Sequence, residues 1–132
     1  MGANNWTGPL PNRDGARRRL LRQYVVNAKI RKIQFALSYE SFTQLTAEPC
    51  FWCGDPPSQI VRIRWKSNGT YKEQPPWFYS GLDRIDNTYG YIEGNCVPCC
   101  KTCNAMRSAM SPEDFMKQIR KIAQHMKRKN GG

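Results

Sequence analysis

The first strong hydrophobic pattern in the chain has the period of a helix. Between residues 16 and about 32, apolar side chains recur at i, i+3, i+4 and i+7, which places them on one face of a helix. These residues are Leu21, Tyr24, Val25 and Ala28. The same segment contains seven basic residues and no acidic ones. The pattern predicts an amphipathic helix with one packed face and one strongly positive face.

The middle of the chain has the alternating pattern of short strands. Residues 33–37 alternate between apolar and polar side chains and predict a strand. Ser38 then suits the N-cap of a helical turn or two that carries Phe42 and Leu45. Two further strands are predicted at residues 60–65 and 77–84, with a polar loop between them.

A second helix is predicted near the end of the chain. Ser111 is a good N-cap, Pro112 suits the first helical position, and two acidic residues follow in the first turn. The helix is expected to run to about residue 127. Its apolar stripe consists of Phe115, Ile119, Ile122 and Met126. Six basic residues between positions 117 and 129 again have no acidic neighbour.

Length and charge narrow the class of protein. A chain of 132 residues is long enough for one domain. Residues 1–15 are rich in Pro, Gly and Asn and predict a flexible arm, which leaves residues 16–129 as a single domain. Twenty-one Lys and Arg against ten Asp and Glu give a formal charge of +11, which indicates a polyanionic partner. Nucleic acid is the first candidate.

The compartment decides how the six cysteines are interpreted. The sequence contains no apolar run of the roughly 18 residues that a membrane span needs, and its N-terminal residues lack the apolar core of a signal peptide. We therefore expect an intracellular protein with no membrane partner. Cysteines in a reducing compartment are more often metal ligands than disulfides.

Cysteine spacing predicts a structural zinc site. Cys50-x-x-Cys53 and Cys100-x-x-Cys103 each have the spacing of a knuckle whose two thiolates bind one tetrahedral Zn²⁺. Cys96 and Cys99 form a third pair with the same spacing. Spacing alone does not decide which pair joins Cys50 and Cys53, and six buried thiols are the alternative.

Residues 81–110, GLDRIDNTYGYIEGNCVPCCKTCNAMRSAM, resemble the ββα-metal motif of HNH endonucleases. The resemblance is to phage and restriction-type members, which have Asp-Arg where others have Asp-His. It implies an α+β fold in which a zinc-stapled hairpin and helix, at about residues 77–110, are flanked by basic helices. It also implies that the zinc knuckle is Cys100 and Cys103, so that Cys96 and Cys99 pack in the second hairpin strand.

The same resemblance assigns the catalytic positions. Asp83 and Asn104 match the two ligands of the catalytic cation, and Asn95 matches the residue that staples the loop between them. Hard oxygen ligands of this kind suit Mg²⁺. The implied activity is Mg²⁺-dependent hydrolysis of phosphodiester bonds, with double-stranded DNA as substrate. A turn-capping role for Asp83 and a polar helix-start role for Asn104 are the structural alternatives.

The sequence departs from the commonest form of the motif at the general base. Arg84 stands where most members have the catalytic histidine, and the only histidine of the chain is His125, near the end of the last predicted helix. The variant implies that Tyr91 acts beside the cleaved phosphate while Arg84 holds that phosphate through paired donors. Asp86 is the competing base, although Asp-Asn-Thr is also ordinary turn chemistry.

Basic residues on the two predicted helices are the candidates for phosphate contacts. They are Arg17, Arg18, Arg19, Arg22, Lys117, Arg120 and Lys121. Two alternative functions stay open: a non-catalytic zinc-dependent DNA-binding module, and a nuclease acting on RNA or branched DNA. The sequence does not distinguish a monomer from a homodimer.

Overall fold

The computed structural model describes residues 13–62, 64–73 and 76–131. In the described residues, four helices and six short strands follow one another. They are α1 (Arg13–Ile30), α2 (Tyr39–Ala47), β1 (Gln59–Val61), β2 (Arg64–Ser67), β3 (Thr70–Glu73), β4 (Trp77–Tyr79), β5 (Gly81–Arg84), β6 (Cys96–Cys99), α3 (Lys101–Arg107) and α4 (Pro112–Gly131). The strands form three antiparallel pairs, β1 with β4, β2 with β3 and β5 with β6. The protein is thus a small mixed α/β structure with short two-stranded sheets.

Helix α1 confirms the predicted helix with two differences. It begins at Arg13, inside the predicted N-terminal arm, whose residues 1–12 lie outside the described residues. Its buried side chains are Ala16, Leu20 and Ala28, whereas Val25 is 41% exposed, so the prediction that Val25 is buried was wrong. These three buried residues are spaced at i, i+4 and i+12, so the buried face of α1 is narrower than the sequence pattern indicates.

The predicted strand at residues 33–37 is reduced to a single bridge. Phe35 pairs with Tyr91. The Ala36 N–H donates to the Tyr91 carbonyl, and the Tyr91 N–H donates to the Gln34 carbonyl, each at 2.8 Å. The partner of this segment is therefore a loop and not a strand. Gly90 permits the close approach, since a Cβ at this position would lie 2.3 Å from the Gln34 carbonyl oxygen.

The two longer predicted strands are each divided. Residues 60–65 belong partly to β1 and partly to β2, which have different partners, and residues 77–84 are divided into β4 and β5. Ser80 separates β4 from β5: its backbone N–H donates to Thr46 at 2.8 Å and its hydroxyl to the Glu48 carbonyl at 2.6 Å. The backbone N–H of Ser80 is therefore bonded to the end of α2 and is not available to a neighbouring strand, so the strand is interrupted there.

Caps predicted from the sequence begin both α2 and α4. The Ser38 hydroxyl accepts from the Ser41 N–H at 3.1 Å, and the Ser111 hydroxyl accepts from the Asp114 N–H at 3.1 Å. Phe115 of α4 is buried, but Ile122 is 50% and Met126 is 43% exposed, so the predicted buried stripe packs only near the start of the helix. Among the helices of the described segments, none is long and apolar enough to cross a membrane.

Two buried clusters lie on either side of the β5–β6 hairpin residues. The larger cluster contains Ala16, Leu20, Ala28, Leu37, Phe42, Trp77, Leu82, Tyr91 and Cys96. The smaller cluster contains Cys50, Cys99, Cys100 and Cys103, with Trp52 packed against it. Hairpin residues contribute to both clusters, so the hairpin is held by apolar packing on one side and by the cysteine cluster on the other.

Candidate metal centre and adjoining cavity

Four cysteine sulfur atoms converge on one point. The Sγ atoms of Cys50, Cys53, Cys100 and Cys103 all lie within 4.8 Å of one another. The Sγ atoms of Cys53 and Cys100 are 3.7 Å apart. A tetrahedral site with Zn–S bonds of about 2.3 Å has S···S edges of about 3.8 Å, so the cluster has the size of a Zn²⁺ site. The predicted choice of Cys100 and Cys103 as partners of the first pair is the one the structure brings together.

Backbone hydrogen bonds shape the two knuckles. In the first, the Gly54 N–H donates to the Cys50 carbonyl at 2.9 Å, and Gly54 has a φ of 80°, a conformation that suits glycine. The Phe51 N–H donates to the Pro98 carbonyl at 2.8 Å and ties this knuckle to β6. In the second, Cys100 is the N-cap of α3, and its sulfur accepts from the Cys103 N–H at 3.3 Å. The first turn of α3 thus fixes the position of the Cys100 sulfur beside that of Cys103.

Electrostatics of the cluster also favours a bound cation. Burial by itself would raise the pKa of the Cys50 thiol. Backbone N–H groups of the two knuckles, those of Cys100, Cys53 and Trp52, outweigh burial and lower this pKa to about 6. Burial, and then the sulfur atoms beside it, raise the pKa of Cys103. Four adjacent sulfurs cannot all ionise without a compensating positive charge, which a metal ion supplies.

Cys96 and Cys99 are outside the metal cluster. Cys96 packs in the larger buried cluster, and burial raises the pKa of its thiol to about 11. Cys99 is 1% exposed, and its thiol donates to the Cys100 carbonyl at 3.3 Å. Burial also raises the pKa of the Cys99 thiol. Both behave as neutral packing residues of β6, as the sequence predicts.

Asp83 is buried in an ion pair that the sequence analysis did not anticipate. It lies on β5 opposite Val97 and is 4% exposed. Arg107 donates to it through two nitrogens, Nε to Oδ2 at 2.7 Å and Nη2 to Oδ1 at 2.9 Å. The indole N–H of Trp52 donates to Oδ2 at 3.0 Å. Because Trp52 lies inside the first cysteine knuckle, its side chain links that knuckle to Asp83.

Arg107 is a site residue that the sequence analysis missed. It is fully buried at the end of α3. Besides Asp83, it donates to the Ile85 carbonyl at 3.4 Å and to the carbonyls of Arg84 and Met110. A signal was available, because a residue three positions after Asn104 lies on the same side of a helix. The arginine fixes the end of β5 against α3.

Asn95 staples the hairpin loop as predicted. Its Oδ1 accepts from the Asp86 N–H at 3.0 Å, and its Nδ2 donates to the carbonyls of Asp86 and Gly90 at 3.1 and 2.9 Å. Asn95 is 8% exposed. One buried side chain therefore satisfies three backbone groups of the loop and holds the backbone directly before Tyr91 in place.

The side chain of Arg84 is partly used within the loop. Its Nη1 donates to the Asn87 carbonyl at 3.1 Å and to the Tyr89 carbonyl at 3.0 Å, and its guanidinium lies 5.5 Å from the centre of the Tyr91 ring. No described residue accepts a hydrogen bond from Nε or Nη2 of Arg84. Arg84 thus stabilises the loop through Nη1, while its Nε and Nη2 have no acceptor among the described residues.

Tyr91 is a packing residue with its ring in the core. It is 8% exposed, and its ring contacts those of Tyr24 and Phe35 at centroid distances of 5.8 and 5.6 Å. Asp86, the competing base, is exposed and makes a turn in which its Oδ1 accepts from the Thr88 N–H at 2.9 Å and from the Thr88 hydroxyl at 2.6 Å. These hydrogen bonds, the side-chain one first, lower the pKa of Asp86.

One cavity joins most of the predicted catalytic residues. It has a volume of about 320 Å³, and its lining includes Asp83, Arg84, Tyr91 and Asn104. Arg31, at the end of α1, also lines it and was not predicted. Asn104 lies on α3 with its side chain exposed. Asp86 lines a different cavity, of about 440 Å³.

The predicted phosphate-contacting residues have different environments. Arg18 is paired with Asp14 at 2.9 Å and lies 4.4 Å from the Tyr39 ring centre. Arg17 is 5.9 Å from the Trp77 ring centre, and Arg19 donates to a backbone carbonyl at 3.4 Å. The other four are exposed: Arg22, Lys117, Arg120 and Lys121. His125 is also exposed, on α4.

Comparison with known proteins gives a distant viral relative. The chain is similar to the uncharacterized protein R423 of Acanthamoeba polyphaga mimivirus, with 30% identity over 95 residues. The aligned segment is 72% of this chain but spans only 14% of the length of the relative. No family model matches the chain, and no solved structure matches it. The name of the relative carries no function, so the function is argued from the site.

Proposed function

We propose that the protein is an HNH-type endonuclease that hydrolyses phosphodiester bonds of double-stranded DNA with Mg²⁺. The observation that supports this most is the shared cavity: Asp83 from the hairpin and Asn104 from α3 line it together. Arg84 and Tyr91 line the same cavity. A carboxylate and an amide can hold a divalent cation and a guanidinium can hold a phosphate, which are roles that this hydrolysis uses.

The cavity lined by Asp83 and Asn104 has oxygen ligands of the kind that Mg²⁺ prefers. Oδ2 of Asp83 accepts from both Trp52 and Arg107, whereas Oδ1 accepts only from Arg107 among the described residues. A carboxylate oxygen has two acceptor positions, so one remains at Oδ1. No described residue hydrogen-bonds to the Asn104 side chain. Asp83 and Asn104 would therefore hold the cation, which would neutralise charge on the phosphate.

The remaining groups of the cavity bind the substrate and move a proton. Arg84 keeps two nitrogens for the cleaved phosphate, since only its Nη1 donates to the loop. Tyr91 lines the cavity between the hairpin and α1. In this proposal its deprotonated oxygen, favoured by the Arg84 guanidinium 5.5 Å from the ring centre, would take a proton from the attacking water. Asp86 is the poorer candidate for the base because its carboxylate is used in a turn and lines a separate cavity.

One observation favours a second function, a non-catalytic zinc-dependent DNA-binding module. Arg107 already neutralises Asp83 with two hydrogen bonds, at 2.7 and 2.9 Å. A guanidinium this close repels a second cation. In such a module, the Asp83–Arg107 pair would serve only to join the hairpin to α3.

Cleavage of supercoiled plasmid by the zinc-loaded protein distinguishes the two functions. Nicked or linear product is expected with Mg²⁺ and is expected to be absent when Mg²⁺ is omitted or chelated. Parallel reactions with single-stranded RNA and with branched DNA test the other nuclease substrates. DNA binding without cleavage under every condition would support the module and overturn the endonuclease.

Asn104→Ala is the sharpest variant, because this side chain is exposed and can be removed without leaving a buried group unpaired. We expect it to abolish cleavage with zinc content and DNA binding near normal. Gln118→Ala, an exposed amide on α4, is the matched control and should cleave normally. Asp83→Asn keeps one acceptor oxygen but leaves the buried Arg107 charge unpaired, so it should be both inactive and less stable. Cleavage at the parent rate by both site variants would show that the catalytic site is elsewhere.

A further inference from the structure

A second cavity lies beside the one that Asp83 and Asn104 line. It has a volume of about 290 Å³ and is lined mainly by α1 and by residues of β4 and the hairpin. Arg31, Leu82, Tyr91 and Asn104 line both cavities, so the two adjoin. We call this second cavity the α1 cleft. Its volume is near the lower end of about 300–1,000 Å³ for small-ligand sites, which suits one flat ring system better than a larger ligand.

A row of polar side chains on α1 lines the cleft. Gln23, Asn27 and Arg31 are spaced at i, i+4 and i+8, which aligns them along one side of the helix. All three are exposed, and none has a side-chain hydrogen bond with a described residue. Arg17 and Arg18, by contrast, contact Trp77 and Asp14. The row is therefore the part of α1 that is free to contact a ligand.

The other walls of the cleft are mainly aromatic and apolar. Tyr24, Tyr79 and Tyr91 supply aromatic walls, and no acidic side chain is among the residues that line the cleft. Tyr24 is anchored, since its hydroxyl accepts from the Leu82 N–H at 3.0 Å. Carboxamides recognise base edges because each offers a donor beside an acceptor. Arg31 adds a charge suited to phosphate.

We propose that the α1 cleft binds the base of a nucleotide next to the cleaved phosphate, with Gln23 and Asn27 contacting the base edge and Arg31 the adjoining phosphate. This inference rests on the proposed function for the position of the cleaved phosphate. In this proposal Gln23 and Asn27 give the protein a preference for one base at this position. Because Arg31 and Asn104 line both cavities, the base site adjoins the cavity that contains Asp83.

Selection from randomised DNA duplexes tests the cleft. The zinc-loaded protein is incubated without Mg²⁺ with short duplexes of random sequence, and the bound fraction is sequenced. We expect Asn27→Ala and Gln23→Ala to lose the preference at one base position, by about tenfold or more, while preferences elsewhere persist. Gln44→Ala, an exposed amide on α2, is the matched control and should leave the preference unchanged. Arg31→Gln should weaken binding to all sequences alike and lower the salt dependence by about one phosphate contact.

The outcome is independent of cleavage. Loss of base preference in Asn27→Ala and Gln23→Ala supports the base site even where plasmid cleavage fails, because the selection measures binding alone. Unchanged preference in both variants, or a parent protein with no base preference, overturns the base site even where cleavage succeeds. Zinc content and thermal unfolding of each variant exclude misfolding as the cause.

Discussion

Replacing Arg107 by Met tests the buried pair with Asp83, which connects the hairpin to α3. The side chains of the two residues are 1% and 5% exposed, so solvent screens their interaction little. Arg107→Met leaves the Asp83 carboxylate buried with only the Trp52 N–H as a described side-chain donor. It also leaves the carbonyls of Arg84, Ile85 and Met110 without this donor.

The expected loss of stability is large. Removing one partner of a buried ion pair costs about 3–5 kcal/mol, because the remaining charge is uncompensated. A change of about 1 kcal/mol shifts the Tm of a chain of this size by about 4 °C. We therefore expect Arg107→Met to lower the Tm by about 12–20 °C. The double variant Asp83→Asn/Arg107→Met removes both charges and should recover most of this loss.

Thermal unfolding followed by circular dichroism, with zinc content measured for each variant, is the assay. Arg18→Met is the matched control, because its pair with Asp14 has side chains that are 60% and 56% exposed. This control should have almost the parent Tm. An Arg107→Met variant as stable as Arg18→Met, or a double variant no more stable than Arg107→Met, would refute the reasoning.

Three further predictions concern the metal centre and the base. Cys103→Ser should lose zinc while Cys96→Ser retains it, since only the former is in the sulfur cluster; equal loss by metal analysis would contradict this assignment. After chelation of zinc, mass spectrometry of alkylated protein near pH 8 should find Cys96 and Cys99 slower to react than Cys50, because burial raises the pKa of both thiols, that of Cys96 to about 11, whereas the pKa of Cys50 is lowered to about 6; early labelling of Cys96 would argue against its burial. Tyr91→Phe should lower the single-turnover cleavage rate by about 10²–10⁴-fold and remove a rise of rate with pH, while Asp86→Asn has a much smaller effect; the reverse result would make Asp86 the base.

Local sequence patterns determined the helix starts and the CxxC knuckles. Ser38 and Ser111 act as caps whatever surrounds them, because an N-cap hydrogen bond is made within one turn. The CxxC spacing likewise presets two sulfurs per knuckle. The loop staple by Asn95 was also predictable, since its partners are within nine residues along the chain.

Tertiary structure alone decided what each predicted residue contacts. The periodicity of α1 does not say that Val25 is exposed, and that of α4 does not say that its stripe packs only near Phe115, because burial depends on the elements that meet the helix. Trp52 and Arg107 are 31 and 24 residues from Asp83, and no local pattern specifies such a contact. Arg31 and Asn104 likewise line one cavity only because α1 and α3 pack on the same hairpin region. Sequence therefore fixes interactions within a turn or a loop, whereas side chains distant in the chain meet only when the buried clusters bring their elements together.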